Sequence, residues 1–295
     1  MLGKLREAAR RAVVAARIAG PGKTLRAEFV NAHIGFFAQM NFCLYVARLA
    51  ERRGKAVRIV LSSENYRDPA KGENWFHYFF AEKGEGAGGA ADGAIRISDN
   101  SQLPRQAGGL DLAEANRVFW NAFELRADIQ AAVVEAVQRL DIDHRTLGLH
   151  FRATDKSSEA QLVPADVAIT KVRALVAQLQ PRNLFVSTDD ARFLALIAEG
   201  GVGVPVVSLD DSARSDSDTP VHLGGLKQGN YALGRDALLN ALILAKCGWL
   251  VRTTSFLSAW SVVFTPTIPV FMLNQPHAGK LWFPEKEILP QAVML

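Results

Sequence analysis

The residues best suited to chemistry surround the end of a short apolar run, 147–151. The run contains His150, and it is followed by Arg152, Asp155 and Lys156. Arginine offers a planar fork that matches phosphate oxygens, and lysine adds a point charge. Two cations, a histidine and a carboxylate in so short a stretch predict a site for a di-anionic ligand such as a nucleotide diphosphate.

The run itself has the length and apolar character of a buried strand. Polar residues also follow three other predicted strands; these segments are 188–190, with Asp189, 210–212, and 252–255, with Thr254 and Ser255. In open α/β sheets ligands bind at the carboxyl ends of the strands. Four such segments on adjacent strands would outline a crevice. The last one also begins a helix, where free backbone N–H groups accept phosphate or where Ser255 is an ordinary cap.

The surrounding sequence predicts an α/β chain with mainly parallel sheets. A helix at 36–51 and a strand at 57–61 form one unit in the first half, and 112–140 is predicted to be helical. The second half alternates strands and helices; the predicted elements are strands 147–151, 183–187, 204–208, 249–251 and 268–272, and helices 164–179, 191–199, 235–247 and 255–264. We therefore predict two domains, 1–140 and 141–295.

Composition narrows the class of protein. The chain has 295 residues, 49% hydrophobic and 22% charged, as in an ordinary globular protein with a substantial core. A net charge of +4 with dispersed cations does not indicate nucleic-acid binding. The basic amphipathic helix 4–18 could lie on an anionic membrane surface or pack on its own domain. Cys43 and Cys247 lie in apolar helical stretches, which predicts buried free thiols and no metal site.

Three segments of the sequence resemble, in the same order along the chain, the motifs of a known family. The segment 150–156, His-Phe-Arg-Ala-Thr-Asp-Lys, resembles the H-x-R-R-T-D-K motif of the α-1,6-fucosyltransferases, which include bacterial nodulation fucosyltransferases. The segment 184–190 resembles their strand ending in T-D-D, and 235–255 resembles their long helix, strand and serine-bearing loop. The resemblance covers residues 145–275 well and the first half only in outline.

The resemblance implies a GT-B-like fold, with two Rossmann-like domains facing each other across a cleft. The first domain would be the acceptor side and the second would hold the donor. The family transfers fucose from GDP-fucose to a glycan or lipo-oligosaccharide acceptor, with inversion and without a divalent metal or other cofactor. A bacterial-type, cytoplasmic enzyme is implied, which could also lie peripherally at the inner membrane face.

The same resemblance assigns residues to roles. Arg152 matches the phosphate-binding arginine, which would stabilise the charge that builds on the β-phosphate. The donor would also contact five further positions; these are His150, Asp189, Asn240, Thr254 and Ser255. Asp155 and Lys156 match the end of the catalytic motif. Glu159 is the nearest candidate for the base that deprotonates the acceptor hydroxyl.

Two positions depart from the family pattern. Ala153 stands where the motif has its second arginine, and Asn240 stands where a helix aspartate would read guanine. These departures favour two alternatives, a non-catalytic nucleotide- or glycan-binding protein on the same scaffold, or a transferase that uses another nucleotide sugar. A third alternative is a metal-dependent transferase that uses the D-x-D pair Asp216 and Asp218.

The acceptor side offers fewer signals. His33, in a loop before the first long helix, is a candidate to face the acceptor, and a capping role is an equal alternative. Trp75 begins the aromatic cluster 75–80, which could stack on a sugar ring or form core. The sequence leaves the acceptor, the linkage and the oligomeric state open.

Overall fold

The computed structural model describes residues 2–30, 34–84, 94–99, 102–104, 109–152, 159–210, 212, 214–215 and 230–295. The chain divides into two compact units, Met1–Ile129 and Gln130–Leu295. The boundary falls within a helix, Ala127–Arg139. Each unit has its own parallel sheet.

The first unit has the helices α1 (Leu2–Ala19), α2 (Phe36–Glu51), α3 (Phe76–Phe79) and α4 (Leu112–Ala122), and α5 (Ala127–Arg139) crosses the boundary; the strands are β1 (Thr24–Phe29), β2 (Ala56–Leu61), β3 (Phe80–Glu82), β4 (Ile95–Ile97) and β5 (Phe123–Leu125). Three of these strands form a parallel sheet of order β2-β1-β4 in the described residues. Helix α1 buries Val14 and Ile18, which lie one turn apart on one face.

The predicted continuous helix at 112–140 is wrong. Strand β5 divides it, because residues 123–125 pair antiparallel with β3, with Phe80 opposite Leu125. The pairing buries Phe123 completely against Phe76 and Phe119. A long-range pairing that buries an aromatic ring therefore outweighs the local helical pattern.

The second unit has the strands β6 (Thr146–Phe151), β7 (Asn183–Thr188), β8 (Val206–Val207), β9 (Trp249–Arg252), β10 (Val270–Met272) and β11 (Val293–Met294); its helices are α6 (Ala165–Leu179), α7 (Ala191–Glu199), α8 (Asn230–Leu244), α9 (Phe256–Phe264) and α10 (Glu285–Ile288). The strands form a six-stranded parallel sheet of order β11-β10-β9-β6-β7-β8 in the described residues. From β6 the chain first builds the sheet outward through β7 and β8. It then returns to place β9 on the other side of β6.

Strand β6 is buried on both faces, as predicted for a central parallel strand. Leu147, Leu149 and Phe151 pack in the core formed with α6 and α7. On the opposite face Gly148 lets α8 approach closely, because a Cβ there would lie 3.0 Å from a Leu244 methyl group. Helix α8 begins five residues before the predicted 235, and the predicted strand 204–208 is reduced to Val206–Val207.

Candidate functional site

The carboxyl ends of β6 and β9 meet at one place in the second unit. These strands are neighbours in the sheet but lie about a hundred residues apart in the chain, so the strand order reverses between them. The backbone N–H of Arg152 donates to Thr253 Oγ1 at 3.0 Å, and the Thr253 N–H donates to the His150 carbonyl at 3.0 Å. Such a reversal of strand order is where open α/β sheets bind ligands.

Arg152 lies at this point and is partly open to solvent. Its Nε is 3.6 Å from Oδ2 of Asp189, which follows β7. The two side chains are 22% and 20% exposed, so the contact is a water-accessible ion pair and not a closed one. The neighbouring Asp190 has a different role, since its carboxylate caps α7 by accepting from the N–H groups of Arg192 and Phe193.

His150 lies just below the strand end and is buried. It is in register with Ser187 on β7 and with Arg252 on β9. Directly paired residues of neighbouring strands point to the same face. Successive side chains of a strand point to opposite faces, so His150 faces away from the core that Leu149 and Phe151 form with α6 and α7. It lies on the side where α8 packs against Gly148.

The amino end of α9 contributes backbone donors to the same region. Ser255 is the N-cap in an extended conformation, but its hydroxyl does not cap the helix. Thr254 is 7% exposed, and its Oγ1 has no hydrogen-bond partner among the described residues. An uncapped helix start beside a buried hydroxyl has the donors that a phosphate group requires.

Arg252 and Glu285 hold this helix start in place. Both are buried, and the Arg252 guanidinium forms a two-pronged ion pair with the carboxylate of Glu285. Arg252 Nη2 also donates to the Ser255 carbonyl at 2.9 Å, and its Nε to Ser258 Oγ at 2.9 Å. Sequence reasoning missed the pair. An arginine ending an apolar strand hints at a buried partner, but the partner lies 33 residues away.

Asn274 is another residue that the sequence reasoning missed, and it connects the loop at Thr254 to the chain near Glu159, the predicted catalytic base. Its Oδ1 accepts from the Thr254 N–H at 2.8 Å, and its Nδ2 donates to the Gln161 carbonyl at 2.7 Å. Two residues before Gln161, the Glu159 carbonyl accepts from the His277 N–H at 2.8 Å. The structure therefore brings the backbone of Glu159 close to the strand-end loop.

Several predicted positions lie outside the described residues. They are His33, Ala153, Asp155, Lys156, Asp216 and Asp218. Among the described residues, no cluster of three or more His, Cys, Asp or Glu side chains has the arrangement of a metal site.

Asn240 lies beside a pocket of about 500 Å³ between α5, α8 and the segment after β8. Its amide Nδ2 donates to Asp236 Oδ1 at 2.9 Å and to Ser212 Oγ at 3.1 Å. Ser212 Oγ also donates to Asp236 Oδ1, at 2.6 Å. Asp236 lines the pocket one turn before Asn240, so the carboxylate here belongs to a residue that the sequence reasoning missed.

Both charged and apolar side chains line the pocket. Asp210 and Asp236 line it together with Leu209 and Leu239. Half-burial lowers the pKa of the nearby Arg214, while the carboxylates of Asp236 and Asp210 act in the opposite direction. The combination of apolar surface and a few fixed polar groups is typical of a small-molecule site.

The segment after β8 leads from this pocket to the strand ends. The Ser215 N–H donates to the Asp189 carbonyl at 2.8 Å, and the Ala191 N–H donates to the Ser215 carbonyl at 3.1 Å. Ser212 lines the pocket only three residues earlier, a span of at most about 10 Å of chain. The pocket and Arg152 are therefore neighbouring parts of one region of this unit.

A stacking role for Trp75 is wrong. The residue is completely buried, its indole N–H donates to Ser63 Oγ at 3.0 Å, and its ring packs against Phe36, Tyr66 and Phe79. A sugar needs an open aromatic face, and this ring is fully covered by its own unit. The aromatic rings of the cluster, at positions 75, 76 and 78–80, are core.

The two parallel sheets confirm the predicted α/β class, and the solved structures with a similar fold are GT-B fucosyltransferases. No family model and no curated protein matches the chain.

Among solved structures, the NodZ α-1,6-fucosyltransferase co-crystallised with GDP is similar, with a TM-score of 0.52 and 16% identity over 86% of this chain and 96% of that one. The fucosyltransferase NodZ from Bradyrhizobium is similar too, with the same score and identity over 85% and 95%. The predicted resemblance is thus confirmed at the level of the fold.

Proposed function

We propose that this protein is an inverting glycosyltransferase whose donor is a nucleotide sugar, GDP-fucose, and whose acceptor is a glycan or lipo-oligosaccharide. The observation that carries the proposal is the reversal of strand order at β6 and β9, where Arg152 lies beside an uncapped helix start. The similar NodZ structure was co-crystallised with GDP. In this proposal the second domain, 141–295, binds the donor and the first, 1–140, faces the acceptor.

The chemistry requires stabilisation of a leaving diphosphate. As the sugar departs, negative charge builds on the β-phosphate, and fixed donors stabilise it without reorganising. Arg152 supplies the cation, and Thr254, Ser255 and the N–H groups at the start of α9 supply neutral donors. His150 and Asp189 support the donor side, the latter by orienting Arg152. Lys156 adds a second cation and Asp155 completes the motif.

In this proposal the guanine base of the donor occupies the pocket beside α8. A guanine edge presents N–H donors, and a carboxylate accepts them better than an amide does. We therefore assign this contact to Asp236, with Asn240 holding the carboxylate through its amide hydrogens. Glu159 remains our candidate for the base that takes the proton from the acceptor hydroxyl, and His33 stays a candidate on the acceptor side.

Isothermal titration with GDP and UDP tests the donor. We expect GDP to bind and UDP to bind more weakly, and tight UDP binding without GDP binding would overturn the fucose assignment. We also propose that no metal is required, so transfer from GDP-fucose should continue in excess chelator. Loss of transfer on chelation, restored by a divalent cation, would instead favour a metal-dependent enzyme using Asp216 and Asp218.

A non-catalytic binding protein is the second candidate, because Ala153 removes a cation from the motif. Release of GDP from GDP-fucose by the purified protein, with or without a glycan acceptor, separates the two. GDP binding with no turnover of the donor would favour the binding protein.

We further propose a cytoplasmic location, with α1 as a peripheral contact to an anionic membrane. In the described residues, no helix combines the length and apolarity needed to span a bilayer.

A further inference from the structure

An exposed tryptophan lies beside the proposed phosphate loop. Phe256 follows Ser255 directly, and its ring stacks on Trp282 with the centroids 6.1 Å apart and the planes 10° apart. Trp282 remains 39% exposed and the adjacent Leu281 is 48% exposed. The stacked Trp282 therefore presents an exposed aromatic ring at the amino end of α9.

The chain around Trp282 is firmly anchored. Phe283 is buried, and Glu285 forms the buried ion pair with Arg252 that also fixes the Ser255 carbonyl. The segment 281–285 is therefore tied to the same loop that carries the proposed phosphate donors. A ring held in this way loses little further conformational freedom when a ligand binds.

We propose that Trp282, backed by Phe256, is a sugar-binding platform for the glycan acceptor. The inference rests on the proposed function, because only a glycan-using enzyme needs a carbohydrate subsite beside its donor. The face of an aromatic ring carries negative charge density and attracts the C–H groups on the apolar face of a sugar. Sugar hydroxyls at the ring edge can remain in water, which suits a side chain that is more than a third exposed.

The exposure favours the acceptor over the sugar of the donor. The departing sugar is bonded to the β-phosphate and must lie against the buried donors of Thr254 and Ser255. A glycan acceptor extends beyond its reacting unit into solvent, and the side chains of Trp282 and Leu281 are both exposed to solvent. An isolated exposed apolar residue needs no explanation, but a backed and anchored pair beside a polar site does.

The test is binding of tetrasaccharides to protein saturated with GDP. The panel contains α- and β-linked tetrasaccharides of glucose, galactose, mannose and N-acetylglucosamine, and affinity is measured by calorimetry and by quenching of tryptophan emission. For any tetrasaccharide that binds, Trp282→Ala should weaken binding by about tenfold or more, and Trp282→Phe by less. Leu281→Ala is the matched control, with the neighbouring exposed side chain removed, and should change affinity less than Trp282→Ala.

The affinity for GDP separates this proposal from the proposed function. All three variants should bind GDP as the wild type does and keep its circular dichroism spectrum. Failure of the wild type to bind GDP would count against the proposed function. Normal GDP binding without binding of any tetrasaccharide, or with equal affinities in wild type and Trp282→Ala, would overturn the platform. A loss of GDP-fucose affinity with unchanged tetrasaccharide affinity would also overturn it, because the ring would then contact the donor.

Discussion

At the scale of single residues, our proposal centres on the guanidinium of Arg152. Arg152 is held at the strand end through its backbone N–H, while its side chain is 22% exposed and its Nε lies 3.6 Å from Asp189 Oδ2. In our proposal an anionic ligand competes with Asp189 for this partly exposed guanidinium. This combination of a fixed backbone and an accessible cation is what a diphosphate-binding group requires.

Arg152→Ala should lower turnover of GDP-fucose by a factor on the order of 10² to 10³, the usual effect of removing one preorganised donor. Arg152→Lys should recover part of the loss, because a point charge replaces the fork. Initial rates of GDP release measure both effects. Arg145, at the other end of β6 and exposed to solvent, gives the control variant Arg145→Ala, which should keep normal turnover. Equal rates in Arg152→Ala and Arg145→Ala would exclude the proposed role of Arg152.

In our proposal Asp236 binds the guanine base of the donor and selects it over other nucleobases. Asp236→Asn should weaken GDP binding by a factor of about ten to a hundred, since hydrogen bonds to a charged group are lost. It should also reduce the preference for GDP over UDP, as measured by calorimetry. Asp210→Asn serves as the control, because Asp210 lines the same pocket but pairs with Arg139. The assignment fails if Asp210→Asn impairs GDP binding and Asp236→Asn does not.

At the scale of elements, the joint between β9 and α9 depends on a buried charge pair. Arg252 ends the strand, and its guanidinium contacts the carbonyl of the helix N-cap while Glu285 neutralises it. Removing one partner of such a pair leaves an uncompensated buried charge, whereas replacing both with apolar residues is often neutral.

Glu285→Gln should therefore lower the free energy of unfolding by about 3–5 kcal/mol, measured by urea denaturation. The double variant Arg252→Met/Glu285→Leu should recover most of this stability. Glu287→Gln, two positions along the same short helix and partly exposed, should have little effect. If Glu285→Gln proves no more destabilising than Glu287→Gln, the pair does not hold the joint.

Six predicted elements of the second unit agree with the structure to within one residue at each end, because a strand buried on both faces and an amphipathic helix are local patterns; they are strands 147–151, 183–187 and 249–251 and helices 164–179, 191–199 and 255–264. The predicted helix at 112–140 failed for the opposite reason. Its middle residues pair with β3, more than forty residues earlier, and no local pattern reports such a partner. Trp75 shows the same limit, since aromatic clusters in core and in sugar sites have similar composition.

At the scale of the whole molecule, each compact unit has one cysteine. Cys43 lies in Met1–Ile129 and Cys247 in Gln130–Leu295, and both are buried free thiols, as the sequence predicts. Burial raises the pKa of both thiols well above the ordinary value, with smaller contributions from Glu82 for Cys43 and from Asp143 for Cys247. The thiolate is the reactive form, so burial protects each thiol until unfolding exposes it and lowers its pKa. Each thiol therefore reports on the unfolding of its own unit.

Neither thiol should react with Ellman's reagent at pH 8 in the native protein, and both should react in concentrated urea. Cys43→Ser and Cys247→Ser each leave one reporter, so the urea dependence of labelling follows each unit separately. Coincident transitions would show that the two units unfold together, and separate ones that they unfold independently. Rapid labelling of either thiol without urea would contradict the burial.

The sequence by itself determined the α/β class and most strands and helices of the second unit, because these depend on periodicity and on neighbours in the chain. It also gave rise to the hypothesis of a phosphate site around Arg152. Only the tertiary structure decided that β9 lies against β6, that Asp236 supplies the carboxylate beside Asn240, and that Glu285 neutralises Arg252. Each of these contacts except that of Asp236 joins residues far apart in sequence, and the role of Asp236 depends on a pocket built from distant segments. The pairing of strands and charges is fixed by the burial that the whole fold achieves, and no single segment contains that information.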